Sequence, residues 1–247
     1  MPLEYAPLPL PERAADLTAR WGEDTAEDVL AYALDSAEIG TTALVSSFGA
    51  ESIVLLHMVA RIDRTTPVIF LDTGFLFPET LDYQRSVATK LRLTNVRTVA
   101  PDRTDLFLND PDARLHRNHP DACCDLRKIK PLARALEPFE AWITGRKRIH
   151  GGKRVDLPVY EAENGRLKIN PLTAWAPTDI ENYMRRNGLP KHPLIAKGYK
   201  SIGCEPCTTR VRDDEDARAG RWRGKAKTEC GIHFDADGAV RPAIAAE

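Results

Sequence analysis

Apolar residues in the first part of the chain follow two alternating patterns. Short unbroken apolar runs are typical of strands covered on both faces, and apolar residues three or four positions apart are typical of helices. Strands are predicted over residues 43–47, 68–72, 95–100 and 141–144, and helices over residues 25–34, 51–62, 78–91 and 126–136. This repeated strand–helix order predicts an α/β fold with a mostly parallel sheet flanked by helices.

The pattern is less regular in the later part of the chain. Asn164-Gly165 interrupts an alternating stretch over residues 159–169 and predicts a hairpin, because this dipeptide readily takes positive φ at both positions. Further helices are predicted over residues 178–187, where a capping box begins at Thr178, and near residues 213–220.

Three regions follow from these patterns. Residues 1–40 form a helical lead, residues 41–210 form the α/β domain, and residues 211–247 form a basic, cysteine-bearing C-terminal tail. A chain of 247 residues with 43% hydrophobic and 29% charged residues is typical of a globular protein with a substantial core.

Charge and apolar content exclude some classes of function. The formal net charge of -1 predicts no general attraction to nucleic acid or to anionic membranes. The most apolar stretch, over residues 43–62, is interrupted by charged side chains and is too polar to span a bilayer. The first residues do not fit a secretory signal, and the cysteine count is odd, so we expect a cytoplasmic protein.

Four of the five cysteines form two close pairs, Cys123-Cys124 and Cys204-x-x-Cys207. Thiolates are the ligands that zinc and iron–sulfur clusters select, so a shared four-thiolate site is predicted. A C-x-x-C alone is equally compatible with redox chemistry. Adjacent cysteines are uncommon in zinc sites and favour an iron–sulfur cluster, although spacing alone leaves zinc or iron open.

The fifth cysteine, Cys230, stands in a polar stretch between Lys227 and His233. Neighbouring cationic groups favour the thiolate, which is the nucleophilic form of cysteine. A reactive thiol is therefore predicted, and the alternative is an incidental buried cysteine.

A strand-to-helix loop, Ser46-Ser47-Phe48-Gly49, ends at the edge of the sheet where open α/β folds bind ligands. It precedes a helix whose free N–H groups favour an anion, so it is a candidate phosphate or sulfate cradle. The alternative is an ordinary turn with serine caps.

Basic residues concentrate in two other segments. Gly145-Arg146 opens a basic loop after the fourth predicted strand, and Arg218 and Arg221 belong to a second run before Cys230. Arginine matches the geometry of phosphate and sulfate oxygens, so a site for a small polyanion is predicted, although such runs are also typical of solvated surface. Lys128, one helical turn after Cys124, either approaches the thiols or faces solvent.

Together these motifs resemble the sulfonucleotide reductases, in particular the branch that reduces adenosine 5'-phosphosulfate (APS). The two cysteine pairs match the cluster motif of that branch, and Glu229-Cys230-Gly231-Ile232-His233 matches its tail signature. The resemblance extends from about residue 43 to residue 233. It implies the adenine nucleotide hydrolase-like (PP-loop) fold, with Phe48 and Glu51 replacing a glycine and an aspartate of the S-G-G-x-D-S loop.

The resemblance also implies roles for individual residues. Cys123, Cys124, Cys204 and Cys207 would ligate one [4Fe-4S] cluster, and Cys230 would be the catalytic nucleophile. The residues expected to bind substrate are Ser46, Ser47, Phe48, Gly49, Arg127, Lys128, Gly145, Arg146, Arg218, Arg221 and His233.

The implied reaction reduces APS to sulfite and AMP through an S-sulfocysteine, with thioredoxin or glutaredoxin as reductant. The branch that uses phosphoadenosine 5'-phosphosulfate (PAPS) usually lacks the four cluster cysteines, so APS is favoured and use of PAPS or of both remains the alternative. A zinc-stabilised nucleotide-binding module is a more remote one. No nucleic-acid or membrane partner is expected, and the sequence leaves open whether the chain is homo-oligomeric.

Overall fold

A six-stranded, mostly parallel sheet organises the protein. The computed structural model describes residues 8–150, 154–225, 227 and 231. The strands are β1 (Thr42–Val45), β2 (Val68–Leu71), β3 (Val96–Val99), β4 (Ala141–Ile143), β5 (Tyr160–Glu163) and β6 (Arg166–Ile169). Their order across the sheet is β3-β2-β1-β4-β6-β5, and β5, antiparallel to β6, is the exception to parallel pairing. The predicted α/β fold class is confirmed.

Helices occupy most of the connections between the strands. They are α1 (Leu10–Trp21), α2 (Ala26–Asp35), α3 (Ser52–Ile62), α4 (Pro78–Leu91), α5 (Arg103–Asn109), α6 (Leu115–Asn118), α7 (Pro120–Cys124), α8 (Lys130–Leu136) and α9 (Pro177–Arg186). A π-helical turn spans Asp125–Ile129, and 3-10 turns span Arg148–His150, Pro193–Lys197 and Glu205–Cys207. Within the described residues, no helix is long and apolar enough to cross a bilayer.

Both faces of the sheet are covered, which explains the unbroken apolar runs in its strands. Leu44 of β1 faces the larger core, where it is buried together with Leu17 of α1 and Leu30 of α2. Its neighbour Ala43 faces the other side and packs in a cluster that contains Leu132 of α8. The two N-terminal helices therefore contribute to the larger core.

The predicted hairpin is present. β5 and β6 pair in antiparallel register, and the turn residues Asn164 and Gly165 have φ values of 50° and 74°. Both values lie in the left-handed region that this type of two-residue turn requires.

Two details of the later predictions are wrong. Helix α9 begins at Pro177, and its N-cap is Ala176, two positions before the predicted cap Thr178, which lies inside the helix. The Asp179 carboxylate accepts a 2.8 Å hydrogen bond from the Ala176 N–H and so closes the first turn there. Residues 213–220 form turns instead of a helix. There the side chains of Glu215 and Asp216 accept hydrogen bonds from nearby backbone N–H groups, at 2.7 Å each, and so stabilise the turns.

Candidate functional site

A cavity of about 260 Å³ opens at the carboxyl ends of β1 and β4. Parallel strands bring their following loops together at this edge, which is where open α/β sheets bind ligands. Eight of the residues predicted to bind substrate line the cavity: Ser46, Ser47, Gly49, Lys128, Gly145, Arg146, Arg218 and Arg221. The sequence therefore identified much of the lining before the fold was known.

The loop after β1 contributes its backbone to the cavity and one side chain to the core. Phe48 has φ of 48°, in the region that favours glycine, and its ring is fully buried, 5.3 Å from the ring of Phe70. Burial of the ring offsets the cost of this backbone conformation. The hydroxyl of Ser46 accepts from the Phe48 N–H at 3.2 Å, and that of Ser52 accepts from the Gly49 N–H at 3.0 Å.

Arg221 lines another part of the cavity, and its guanidinium is held by two contacts. Its guanidinium lies 4.4 Å from the centre of the Trp222 ring, and its Nη1 donates to the Ile202 carbonyl at 3.4 Å. Its Nε is buried and has no hydrogen-bond partner among the residues that the structure describes. A Cβ on Gly203 would lie 2.3 Å from Arg221 Nη2, so glycine at this position makes room for the guanidinium.

The two cysteine pairs lie beside this part of the cavity. Cys123 and Cys124 end α7 and are buried, while Cys204 caps the 3-10 turn Glu205–Cys207 and Cys207 is its last residue. The Thr73 hydroxyl lies 3.2 Å from Cys204 Sγ.

The thiols are close enough to influence one another. Burial raises the pKa of the Cys123 thiol to about 11, with a smaller contribution of the same sign from Cys204 and Cys207. Burial also raises the pKa of Cys207, and Cys204 again adds to the effect. Arg127 opposes the shift in the pKa of Cys123, where the Asp110 carboxylate adds to it. Lys128, Lys225 and Arg221 oppose the shift at Cys207, which therefore lies in the more basic environment.

Arg127 and Lys128 are neighbours in sequence with different surroundings. Arg127 is buried, donates to Asp110 at 2.7 Å and to the Thr73 carbonyl at 3.0 Å, and lies 4.0 Å from the centre of the Phe75 ring. It does not line the cavity. Lys128 lines the cavity and acts to lower the pKa of Cys207.

Arg127 and Lys128 lie in a π-helical turn, Asp125–Ile129, and not in a regular α-helix. The helix predicted over residues 126–136 is α-helical only from Lys130 onward, as α8. Its predicted first turn is the wider π-helical turn, in which the Lys130 N–H donates to the Asp125 carbonyl five residues back. π-Helical turns are rare in proteins, and many of those that occur are at functional sites.

The spacing of the cysteines bears on the kind of metal centre that they could hold. Throughout the described ranges, no group of three or more His, Cys, Asp or Glu side chains is spaced to hold a single metal ion. Ligands of one zinc ion lie close together because each Zn–S bond is only about 2.3 Å long. A cluster holds its cysteines further apart, since irons and sulfides lie between them. A set of mostly buried thiols in a basic environment is compatible with a cluster of that larger size.

Cys230 and His233 lie outside the described residues, and so do the first seven positions of the chain. Two described lysines that precede Cys230 are anchored to α6 and α7, and α7 carries the first cysteine pair. Lys225 donates to the His116 carbonyl at 2.6 Å, and Lys227 forms an ion pair with Asp121.

Some lining residues were missed by sequence reasoning. Lys147 belongs to the basic loop but was not singled out; its buried ammonium lies 2.6 Å from the Glu51 carboxylate. Residues 200–203 and Trp222 also line the cavity, and no motif marks them. Their nearness to Cys204 and Arg221 in sequence was the available signal.

Comparison with known proteins agrees with this arrangement. The model of the phosphoadenosine phosphosulfate reductase domain matches residues 41–210. A protein of Mesorhizobium japonicum named adenosine 5'-phosphosulfate reductase is 50% identical over 222 residues, covering 90% of this chain and 87% of the relative. A protein of Gloeobacter violaceus named phosphoadenosine 5'-phosphosulfate reductase is 40% identical, covering 88% and 92%.

Solved structures share the fold. The crystal structure of phosphoadenylyl-sulfate reductase from Candida auris, a phosphate complex, superposes with a TM-score of 0.69 at 28% identity, covering 83% of this chain and 99% of that one. FMN adenylyltransferase of Candida glabrata shares the fold at 13% identity, with a TM-score of 0.54. The domain match and the curated relatives together establish that this chain belongs to the phosphoadenosine phosphosulfate reductase family, as its cysteine and tail motifs predicted.

Proposed function

We propose that this protein reduces APS to sulfite and AMP, as the enzyme adenylyl-sulfate reductase of sulfate assimilation. The observation that carries the proposal is the cavity in which strand-end loops, arginines and Lys128 meet beside the two cysteine pairs. The curated relative at 50% identity is named for this activity and supports the choice of APS. The relative named for PAPS keeps PAPS, or both substrates, as the second candidate.

The reaction proceeds in two transfers. The Cys230 thiolate attacks the sulfur of the phosphosulfate, a sulfur–sulfur bond forms, and the sulfur–oxygen bond to AMP breaks, so that AMP leaves with the bonding electron pair. A thiolate of thioredoxin or glutaredoxin then attacks Cys230 Sγ and releases sulfite, which leaves with the electrons of the cleaved sulfur–sulfur bond. The second thiol of the reductant resolves the mixed disulfide and restores Cys230.

The cations of the cavity suit the charge that develops in the first transfer. Negative charge grows on the bridging oxygen as AMP departs, and fixed cations in a site with little water stabilise it. Arg218, Arg221 and Lys128 line the same cavity and are assigned this role, with His233 as a further substrate contact. Arg146 with Gly145, and the Ser46–Gly49 loop, are assigned to the nucleotide. Arg127 keeps its assignment to the substrate, although its contacts in the structure are with Asp110 and Thr73.

We further assign Cys123, Cys124, Cys204 and Cys207 to one [4Fe-4S] cluster per chain. The cluster supplies an anionic centre close to the basic cavity, while the reducing electrons come from thiols. The Thr73 hydroxyl is positioned to donate a hydrogen bond to Cys204 Sγ, as is common around thiolate ligands. We place the enzyme in the cytoplasm, where thioredoxin and glutaredoxin are kept reduced.

The test is a single-turnover reaction without reductant. Protein purified anaerobically is mixed with APS, or in parallel with PAPS, and the intact mass and the modified residue are determined. A sulfonate adduct on Cys230 with APS alone is expected, because no thiol is present to release sulfite. Equal labelling by both nucleotides would favour the dual-specificity alternative.

A matched variant separates the nucleophile from the cluster. Cys230→Ser is expected to keep its iron and sulfide and to form no adduct. Protein with full iron content that gives no adduct from either nucleotide would overturn the proposed reaction. Zinc in place of iron and sulfide would favour the nucleotide-binding module instead.

A further inference from the structure

A row of charged side chains lies buried on one face of the sheet beside the cavity. Lys168 of β6 is completely buried and forms an ion pair with Glu163 of β5. Its ammonium also lies 3.6 Å from Glu161 and 4.9 Å from the centre of the Trp142 ring. Burying charges is costly unless each is paired, so this row calls for an explanation.

The strand register orders the row. Trp142 of β4 lies opposite Lys168, and Lys168 lies opposite Glu161. Residues directly opposite one another on adjacent strands share a face and contact each other. The row therefore crosses three strands in the order Trp142, Lys168, Glu161.

At the end of the row, one oxygen atom gathers several partners. Glu161 Oε1 accepts from Arg146 Nη1 at 2.5 Å and from Asn170 Nδ2 at 2.9 Å, and it is also the oxygen that faces Lys168. Asn170 accepts in turn from the Thr144 hydroxyl at 2.8 Å, and that hydroxyl accepts from the Arg146 N–H at 3.4 Å. Both the backbone and the side chain of Arg146 are thus attached to the same network.

Arg146 is the member of this network that is assigned to the nucleotide. It lines the cavity, and its buried Nε has no hydrogen-bond partner within the described part of the chain. A guanidinium fixed at one nitrogen keeps its remaining donors in a defined direction, because the group is planar. Trp142 also lines the cavity, so the buried row and the ligand site share a wall.

We infer that Glu161 is a positioning residue that holds the Arg146 guanidinium toward the nucleotide, with Lys168 and Asn170 fixing Glu161 in turn. This inference rests on the proposed function, since it takes the ligand of the cavity to be an adenine nucleotide. It explains why the buried charges are kept: the row continues into the cavity wall instead of ending in the core. Burial raises the pKa of Glu163 and lowers that of Lys168, which shows how strongly the row is desolvated.

The test is a double-mutant cycle on the holoenzyme, with AMP as the probe. Binding of AMP is measured by calorimetry for the wild type, Glu161→Gln, Arg146→Ala and the double variant. Glu161→Gln removes the charge that fixes Arg146 and is expected to weaken AMP binding about tenfold. In the Arg146→Ala background, the same substitution is expected to have no further effect, because the residue that it positions is already absent.

A matched control removes an equal charge two residues further along β5. Glu163→Gln leaves the Arg146 contact in place, so AMP affinity is expected to stay within about twofold of the wild type even if the protein is less stable. Thermal unfolding of every variant is recorded. If Glu161→Gln does not fold, Glu161→Asp keeps the charge but shortens the reach to Arg146, and it is expected to weaken AMP binding by a smaller factor through the same cycle.

The outcomes distinguish failure of the positioning role of Glu161 from failure of the proposed function. Equal weakening by Glu161→Gln in both backgrounds, or no weakening at all, would overturn the positioning role and leave the proposed reaction intact. A wild-type holoenzyme that binds neither AMP nor APS would overturn the proposed function and this inference with it.

Discussion

The loops after β1 and β4 reach the cavity from the ends of central strands, whereas the cysteines beside the cavity lie in a short helix and a 3-10 turn. Arg146 is attached to a buried network that crosses three strands. Cys204 instead caps a short 3-10 turn that ends at Cys207 and is held by isolated hydrogen bonds, such as the one from the Glu205 N–H to the Phe75 carbonyl at 2.8 Å.

The two sides of the site differ in what makes them rigid. The strand-end side, formed by the loops after β1 and β4, is held by the sheet, so a single substitution there is expected to change affinity while the fold persists. The cysteine side depends on a few specific contacts and, by our assignment, on the bound cluster, so substitutions there are expected to change stability and cofactor content. The following predictions test that division.

The largest effect is expected at Cys204. Cys204→Ser removes one of four proposed ligands and is expected to abolish stable iron binding and, with it, sulfite formation, because metal binding and folding are coupled at such sites. Iron and acid-labile sulfide are measured on protein purified anaerobically. Full iron content and activity in this variant would show that the ligand set is wrong.

A large loss of stability is expected at Arg127. Arg127→Met leaves the buried Asp110 carboxylate without its cation, which typically costs about 3–5 kcal/mol. The measurement is the free energy of unfolding in urea. As a control, Lys130→Met breaks the exposed pair with Asp125, which is 3.5 Å apart, and is expected to cost less than about 1 kcal/mol.

The same pair of variants examines the assignment of Arg127 to the substrate. If Arg127 acts on the nucleotide and not on the fold, Arg127→Met will raise KM and leave the unfolding free energy near that of the wild type.

A pH effect is expected at His192, which anchors the segment leading to the cavity residues 200–203. Burial lowers its pKa to about 4, and its Nε2 lies 3.2 Å from the Thr80 hydroxyl. Between about pH 6.5 and pH 4 the unfolded chain binds a proton there that the folded protein does not, so the free energy of unfolding falls as pH falls, by up to about 3 kcal/mol.

The measurement compares unfolding of the wild type and of His192→Gln across that range. The variant is expected to be less stable at pH 7 and to show a shallower loss on acidification. Parallel curves for the two proteins would mean that His192 titrates normally.

The smallest effect is expected where the two sides meet, at Gly203. A Cβ there conflicts with the end of the flexible Arg221 side chain, so Gly203→Ala is expected to displace the guanidinium without disturbing the fold. KM for APS should rise about tenfold, or ~1.4 kcal/mol, with the melting temperature nearly unchanged. In an Arg221→Ala background the substitution should add nothing; a further rise in KM there would assign Gly203 a direct role.

The sheet and the strand-end side were predictable because they depend on local patterns. Apolar runs gave the central strands, and Asn164-Gly165 gave the hairpin with positive φ at both positions. The cavity residues of these loops followed from the rule that parallel strands end at a common edge.

The cysteine side was predictable in that its two cysteine pairs lie close together, but not in its surroundings. Nothing local in the sequence indicates that Asp110 pairs with Arg127 across 17 positions, or that Thr73 lies beside Cys204 across 131 positions. Such contacts depend on tertiary packing. The charged stretch over residues 213–220 misled prediction because its acidic side chains cap turns instead of forming a helical face.

The π-helical turn over Asp125–Ile129 has a consequence for comparing sequences across this family. Its ring of five residues, closed from Lys130 to Asp125, holds one residue more than an α-helical turn. A relative with a regular α-helix at this place is therefore expected to align with a single-residue gap between its counterparts of Cys124 and Lys130. Since each residue of an α-helix turns by about 100°, that gap would rotate the Cys123-Cys124 pair relative to α8, and the alignment alone would reveal the change.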